Sequence, residues 1–280
     1  MEWVSLTMEI AERAGIELPE EEVAEMETVR DLLQSAAEAA EGSAPDLSED
    51  PEQNLEEGDR RWLRPLGPLE RVLASLVYHI NWGAVRLIYR LEVRGIERLP
   101  DEERIVITPN HLSALDPFVL AASIGRRRLL EIYWGGWVGI AFANPLTRAV
   151  SRLAKAVPID PRRGAISSLA LAASVLKRGK GLIWFPEGER SPDGELQQLK
   201  PGVGVLLDAQ PSKVVPVAIA GTQNALPPGS LVPRPLRRLQ VIVGESVDTE
   251  ALADEGKGDD RATRIVDALQ QRLEELVEGS

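Results

Sequence analysis

The stretch Ile105-Val106-Ile107-Thr108-Pro109-Asn110-His111-Leu112-Ser113-Ala114-Leu115-Asp116-Pro117 decides how the rest of the chain is read. Ile105, Val106 and Ile107 are β-branched and carry no charge between them, as in a strand buried on both faces. Pro109 has no amide hydrogen to give to a ladder, so the strand is expected to end there. His111 and Asp116 then fall just past its C-terminal end, the edge where open α/β sheets hold ligands. An imidazole titrates near neutrality and can take up and return a proton. A carboxylate on its second nitrogen fixes the tautomer and steadies the imidazolium. Spacing alone also permits a plainer arrangement, with His111 in a turn and Asp116 capping a helix that has Pro117 at its first position.

Outward from this block, short apolar runs alternate with amphipathic ones. Strands are expected over 104–108, 129–134, 154–159, 180–185, 213–219 and 239–243. Helices are expected over 116–124, 144–153, 165–178, 201–209 and 260–277. Such alternation predicts an α/β fold, a mixed and mostly parallel sheet flanked by helices, with a further helical segment at the N-terminus. Residues 66–92 read as one long helix. Between Arg71 and Arg86 that segment carries no formal charge apart from His79. It is shorter than the ~20 apolar residues needed to span a bilayer. Tyr78, Trp82 and Tyr89 suit a membrane interface, so the helix is expected to lie on or dip into one leaflet, or else to cover the core. His79 has no carboxylate within sequence reach and is read as structural.

Composition narrows the chemistry. The chain has 280 residues, 44% of them apolar, and a net charge of −12. Residues 1–61 hold 19 Asp/Glu against four Lys/Arg, whereas the remainder holds 25 against 28. The body is therefore faintly basic, which suits phosphate-bearing ligands or an anionic membrane face. Its basic residues are not interleaved with stacking aromatics, so no nucleic-acid partner is expected. There is no cysteine, which removes disulfides, thiolate metal sites and thiol nucleophiles and fits a reducing compartment. No further ligand set accompanies His111 at a metal-binding spacing. Met1-Glu2-Trp3 opens with neither a basic nor an apolar leader pattern.

A second apolar run, Ile183-Trp184-Phe185, meets a charged Pro-Gly turn, Pro186-Glu187-Gly188-Glu189-Arg190-Ser191. Four blocks thus follow one another: NHLSALD (110–116), VPIDPRRG (157–164), FPEGERS (185–191) and VVPVAIAGT (214–222). Together they resemble the glycerolipid acyltransferases, over roughly residues 69–245. That resemblance implies an enzyme that moves a fatty acyl group from acyl-coenzyme A or an acyl-carrier protein to a hydroxyl of a lysophospholipid or glycerol phosphate. It implies no bound cofactor, and a place on the cytoplasmic face of a membrane. His111 would be the general base and Asp116 its orienter, the acceptor hydroxyl attacking the thioester directly. Glu187, Gly188 and Arg190 would bind the acceptor's phosphate, with Arg162 or Arg163 of the second block.

The residue chemistry is consistent with these roles. An alcohol with a pKa far above 7 needs a base as it attacks. A glycine lets a backbone come close, and an arginine offers a planar fork to phosphate oxygens. The sequence departs from the family pattern in places. Glu189 stands where the family usually has Thr, and Pro161 separates Asp160 from Arg162. Leu130 precedes Glu131 where a Lys-Glu pair is usual. Pro216 is read as structural or as lining an acyl pocket. The uncharged, aromatic and glycine-rich run 133–142 is read as acyl-facing or as core. Two other functions stay open. One is a catalytically silent membrane-docking module. The other is a lipase or thioesterase using Ser113, although no Gly-x-Ser-x-Gly elbow surrounds it.

Before this body, residues 2–14 and 20–40 read as helices. IAERAGIELPEEEVAEMETVRDLLQSA, which begins at Ile10, resembles the second half of an acyl carrier protein. The resemblance would place the arm-bearing serine just before Met1, so no prosthetic group falls on Ser5 or Ser35. The chain is read as starting inside a carrier domain, as keeping a half-domain as an acidic docking surface, or more plainly as carrying an acidic helical hairpin with solvated charged faces. Residues 1–40 are thus a partial carrier-like segment, 41–61 an acidic linker and 62–280 the acyltransferase domain. A tether of this kind raises the local concentration of donor, toward the millimolar range for a short flexible linker.

Overall fold

A computed structural model describes residues 47–101, 104–159, 165–227, 229–230 and 232–279. The carrier-like segment, residues 41–46, and Arg162 and Arg163 lie outside the described residues.

A helix α1 (Pro68–Ile88) leads into strand β1 (Arg90–Arg94) and, after a connection, β2 (Ile105–Pro109). There follow α2 (Asp116–Ser123), β3 (Ile132–Trp137), α3 (Pro145–Leu153), β4 (Ala156–Ile159), α4 (Ala165–Lys177), β5 (Gly181–Ile183), α5 (Gly202–Ala209), β6 (Lys213–Ala220) and β7 (Arg238–Val243). A two-residue β8 (Val247–Asp248), α6 (Thr249–Glu255) and α7 (Arg261–Glu278) close the chain. The strands form one sheet in the order β1-β7-β6-β2-β5-β3-β4, with β8 beside β6. Among the described residues only β6 with β7 and β6 with β8 run antiparallel. In register, Ile105 faces Lys213 on β6, and Val106 faces Leu182 on β5. The mixed, mostly parallel sheet flanked by helices is the fold expected from the sequence.

Alternation along the central strands feeds two cores. Val106, Leu182 and Val214 point to one face, under α4, α5 and α7. Ile105, Ile107, Ile183, Val215 and Val217 point to the other, under α2 and the buried Val85 of α1. These strand side chains are 0–2% exposed, and each contributes roughly 1.5–3 kcal/mol of burial. A strand covered on both sides reads as a continuous apolar run, which is why Ile105-Val106-Ile107 marks the centre of the sheet. At Gly204 a side chain would strike the Ala262 carbonyl oxygen at 2.3 Å, so glycine lets α5 and α7 pack this closely.

Three differences from the sequence reading have physical causes. The acidic linker expected over 41–61 is, from residue 47, part of the body. Leu47, Pro51, Leu55 and Asp59 are each buried, every fourth residue. The Gln210 amide holds the Leu47 and Ser48 carbonyls at 2.8 and 3.1 Å. Most of the residues between them face solvent and several are acidic, which masked this period. The helix expected over 66–92 stops at Ile88, because Tyr89 turns extended (φ −124°, ψ 159°). Arg90-Leu91-Glu92-Val93-Arg94 then forms β1 and pairs with β7. The strand expected over 129–134 is displaced to Ile132–Trp137 and runs through Gly135 and Gly136. Those glycines make room for Trp184 and Phe142, whose atoms would lie 3.3 Å from an added Cβ at each.

Lys155, between α3 and β4, is 5% exposed. Its Nζ donates to the Leu130 carbonyl at 2.9 Å and lies 4.0 Å from the Tyr133 ring centroid. Burial pulls its pKa down to about 8. Between that value and the 10.5 of an unconstrained lysine, the unfolded chain binds a proton that the folded chain has released. Stability therefore rises with pH through this window, and the charged lysine costs roughly 3 kcal/mol below it. Urea unfolding at pH 7.5 and 9.5 should show the rise, and Lys155→Met should flatten it. An unchanged slope in the variant would assign the effect elsewhere.

Candidate active site

Pro109 ends β2, and Asn110 locks the turn that follows. The Asn110 side chain donates to the Ile219 carbonyl at 3.1 Å and accepts from the Ile219 amide at 2.6 Å, replacing a rung of the β2–β6 ladder. His111 is thereby set at the C-terminal edge of the central strands. Its Nδ1 lies 2.8 Å from Asp116 Oδ2. The same oxygen accepts the Leu112 and Ser113 amides at 2.6 and 2.7 Å. Asp116 is fully buried, and its other oxygen, Oδ1, has no hydrogen-bond partner among the described residues. The expected cap is therefore directed backwards: Asp116 makes no cap to its own helix and gathers the turn before it. A carboxylate in that position accepts a hydrogen bond from Nδ1–H, which leaves the lone pair on Nε2. Phe185 covers one face of the imidazole, with ring centroids 4.2 Å apart. The His111 side chain keeps 18% exposure, enough to meet a ligand.

The second charged turn is braced against the first. Glu187 is fully buried. Its Oε1 accepts the His111 amide at 2.6 Å, and its Oε2 accepts the Gln197 amide at 2.9 Å and the Gln197 side chain at 3.3 Å. The Ser191 amide donates to the His111 carbonyl at 2.7 Å. Burial raises the Glu187 pKa, against the pull of these donors. The resemblance placed Glu187 at the acceptor's phosphate; here both its oxygens join the two turns behind His111. Gly188 has φ +74°, the left-handed conformation that favours glycine, so its requirement is the turn itself.

Arg190 is exposed and makes no ion pair among the described residues. Glu189, the departure from the family pattern, points to Lys200 Nζ at 3.6 Å. Lys200 is the cation that the sequence reading missed. Its amide donates to the Pro186 carbonyl at 2.8 Å, and its Cγ would lie 3.2 Å from a Cβ at Gly188. No local spacing announces it. Gln197 was also not singled out as a brace. Ser113 is 2% exposed, and its hydroxyl donates to the Leu226 carbonyl at 2.8 Å. That hydroxyl is held by backbone rather than by the imidazole, which argues against a serine nucleophile. Among the described residues no group of three or more His, Asp or Glu is placed to hold a metal ion.

Residues 90–220, which contain both turns and the strands that carry them, match the Acyltransferase family. Over that stretch the chain is similar to the acyltransferases. Among its relatives is the chloroplastic 1-acyl-sn-glycerol-3-phosphate acyltransferase LPAT1 of Arabidopsis thaliana, 30% identical over 155 residues, which are 53% of this chain and 42% of that protein. A 1-acyl-sn-glycerol-3-phosphate acyltransferase of Pseudomonas aeruginosa is 29% identical over 201 residues, 67% of each protein. The matched acyltransferase region thus spans less than half of the Arabidopsis protein. The acyltransferase fold is shared with the crystal structure of the 1-acyl-sn-glycerophosphate acyltransferase PlsC of Thermotoga maritima, at a TM-score of 0.57 and 21% identity over 75% of this chain and 79% of that one.

Proposed function

We propose that this acyltransferase moves a fatty acyl group from an acyl thioester to the free hydroxyl of 1-acylglycerol-3-phosphate or a related lysophospholipid. The observation that carries this reading is the His111–Asp116 pair, which directs Nε2 away from Asp116 at the ligand-binding edge of the sheet. The acceptor oxygen attacks the thioester carbonyl carbon as Nε2 takes the hydroxyl proton. The carbon–sulfur bond breaks, and the imidazolium returns the proton to the leaving thiolate. Asp116 holds the ring and offsets its transient charge. No covalent enzyme intermediate is needed. Arg190 and Lys200 offer cations to the acceptor's phosphate, and the resemblance adds Arg162 or Arg163. The donor is coenzyme A or a carrier protein, both of which present the same thioester.

The acceptor is a lipid, and α1 is suited to meet it. Leu69, Val72, Leu76 and Ile80 form an exposed stripe, 55–71% accessible. Among the described residues no helix is long and apolar enough to cross a membrane. The stripe supports a helix lying in the interface, which we place on the cytoplasmic face. The test incubates the chain with acyl-coenzyme A or acyl-carrier protein and a panel of lysophospholipids and glycerol-3-phosphate, with products read by mass spectrometry. Diacyl product from 1-acylglycerol-3-phosphate is expected. Free fatty acid as the main product would instead support a hydrolase.

A further inference from the structure

None of His111, Asp116, Glu187 or Arg190 lines either of two adjoining cavities. The larger, about 480 Å³, lies among Arg61, Trp62, Arg64, Glu70, Arg148 and Arg152. The smaller, about 280 Å³, shares Arg61, Trp62 and Arg148 with it and has the buried Asp59 in its wall. The floor of the larger cleft is built and electrically settled. Arg152 pairs with Glu70 at 3.1 Å and donates to the Arg64 and Pro65 carbonyls at 2.7 and 2.9 Å. Glu70 in turn accepts the Gly67 amide at 2.7 Å. These bonds fix the turn that enters α1.

The walls carry spare positive charge. Among the described residues, Arg61, Arg64 and Arg148 form no ion pair with a carboxylate, and each is exposed. Arg148 uses its Nε on the Phe142 carbonyl at 2.9 Å, so its two terminal nitrogens remain available. Arg61 lies over the Trp62 ring, 5.3 Å from its centroid. Three such guanidinium groups around one cleft match the oxygens of a phosphate group. The surroundings indicate where that phosphate comes from. The exposed apolar stripe of α1 begins at Leu69, two residues after Gly67, which itself lines the cleft. A phosphate here lies beside apolar surface, as in a phospholipid at the edge of a leaflet.

We propose that this cleft binds the headgroup phosphate of an anionic phospholipid, separately from the substrates handled at His111. The proposal goes beyond the acyl-transfer reading and rests on the interface placement of α1.

The test is vesicle flotation of the full chain on phosphatidylcholine alone and on phosphatidylcholine with phosphatidylglycerol. Arg61→Gln/Arg148→Gln is expected to lower binding to the anionic vesicles about tenfold and leave binding to neutral vesicles unchanged. Arg61→Lys/Arg148→Lys should recover only part of the loss, because an ammonium lacks the fork. Arg64→Gln, whose side chain makes no hydrogen bond within the described residues, should lower anionic binding by itself. Equal anionic binding in all variants would overturn the proposal, as would full recovery by lysine, which would indicate net charge alone. A raised KM for acyl-coenzyme A with anionic binding intact would make the cleft a donor site and also overturn it. Failure of the wild type to bind either vesicle would remove the interface placement of α1 and the proposal with it, and retained acyl transfer would show that the chemistry stands without either.

Discussion

His111→Ala should lower acyl transfer by about 10²–10⁴-fold, the usual worth of a positioned base. The fold should survive. With the ring removed, Asp116 Oδ2 still accepts the Leu112 and Ser113 amides, so the turn keeps its internal bonds. Asp116→Asn should reach a similar loss by another route. The neutral amide no longer offsets the imidazolium, and its second polar atom occupies the site where Oδ1 already lacks a partner. A buried amide donor left unpaired costs about 1–3 kcal/mol, so this variant should also melt earlier. Because the two groups act as a unit, His111→Ala/Asp116→Asn should be scarcely slower than His111→Ala alone. Multiplicative losses in single-turnover rates would show that the pair does not work as one base.

Glu187→Ala should produce the largest loss of stability near the site, about 2–5 kcal/mol by urea unfolding. It removes the acceptor of two backbone amides, those of His111 and Gln197, in a position closed to water. Activity should fall as well, since the His111 backbone loses its brace. Glu187→Gln separates the two effects. One amide oxygen can still serve one backbone donor, while the NH₂ group opposes the other. Stability should be partly recovered and activity less so. If Glu187→Ala instead raised only the KM for the acceptor with an unchanged unfolding midpoint, Glu187 would be a substrate contact after all.

The central sheet was legible because burial on both faces writes itself as charge-free β-branched runs. The His111–Asp116 contact was legible for a different reason: five residues starting at a strand end leave little freedom in where the second side chain can go. Long-range bracing left no such mark. Glu187 stands in the block that the resemblance assigned to the acceptor's phosphate, whereas its partners are amides 76 and ten residues away. Lys200 is brought to Gly188 only by the return of the chain toward α5. Strand β1 was absorbed into the helix before it because Leu91 fits either period, and only pairing with β7 decides between them.

The anchoring of Leu47 fixes one point of the chain against the sheet. Gln210 holds the Leu47 carbonyl just before β6 begins, at the entry edge of the parallel strands. His111 sits past their exit edge. Five residues of β2 at ~3.3 Å each set these edges about 17 Å apart. The body is thus pinned at Leu47 a full sheet height from the edge where His111 meets its ligands.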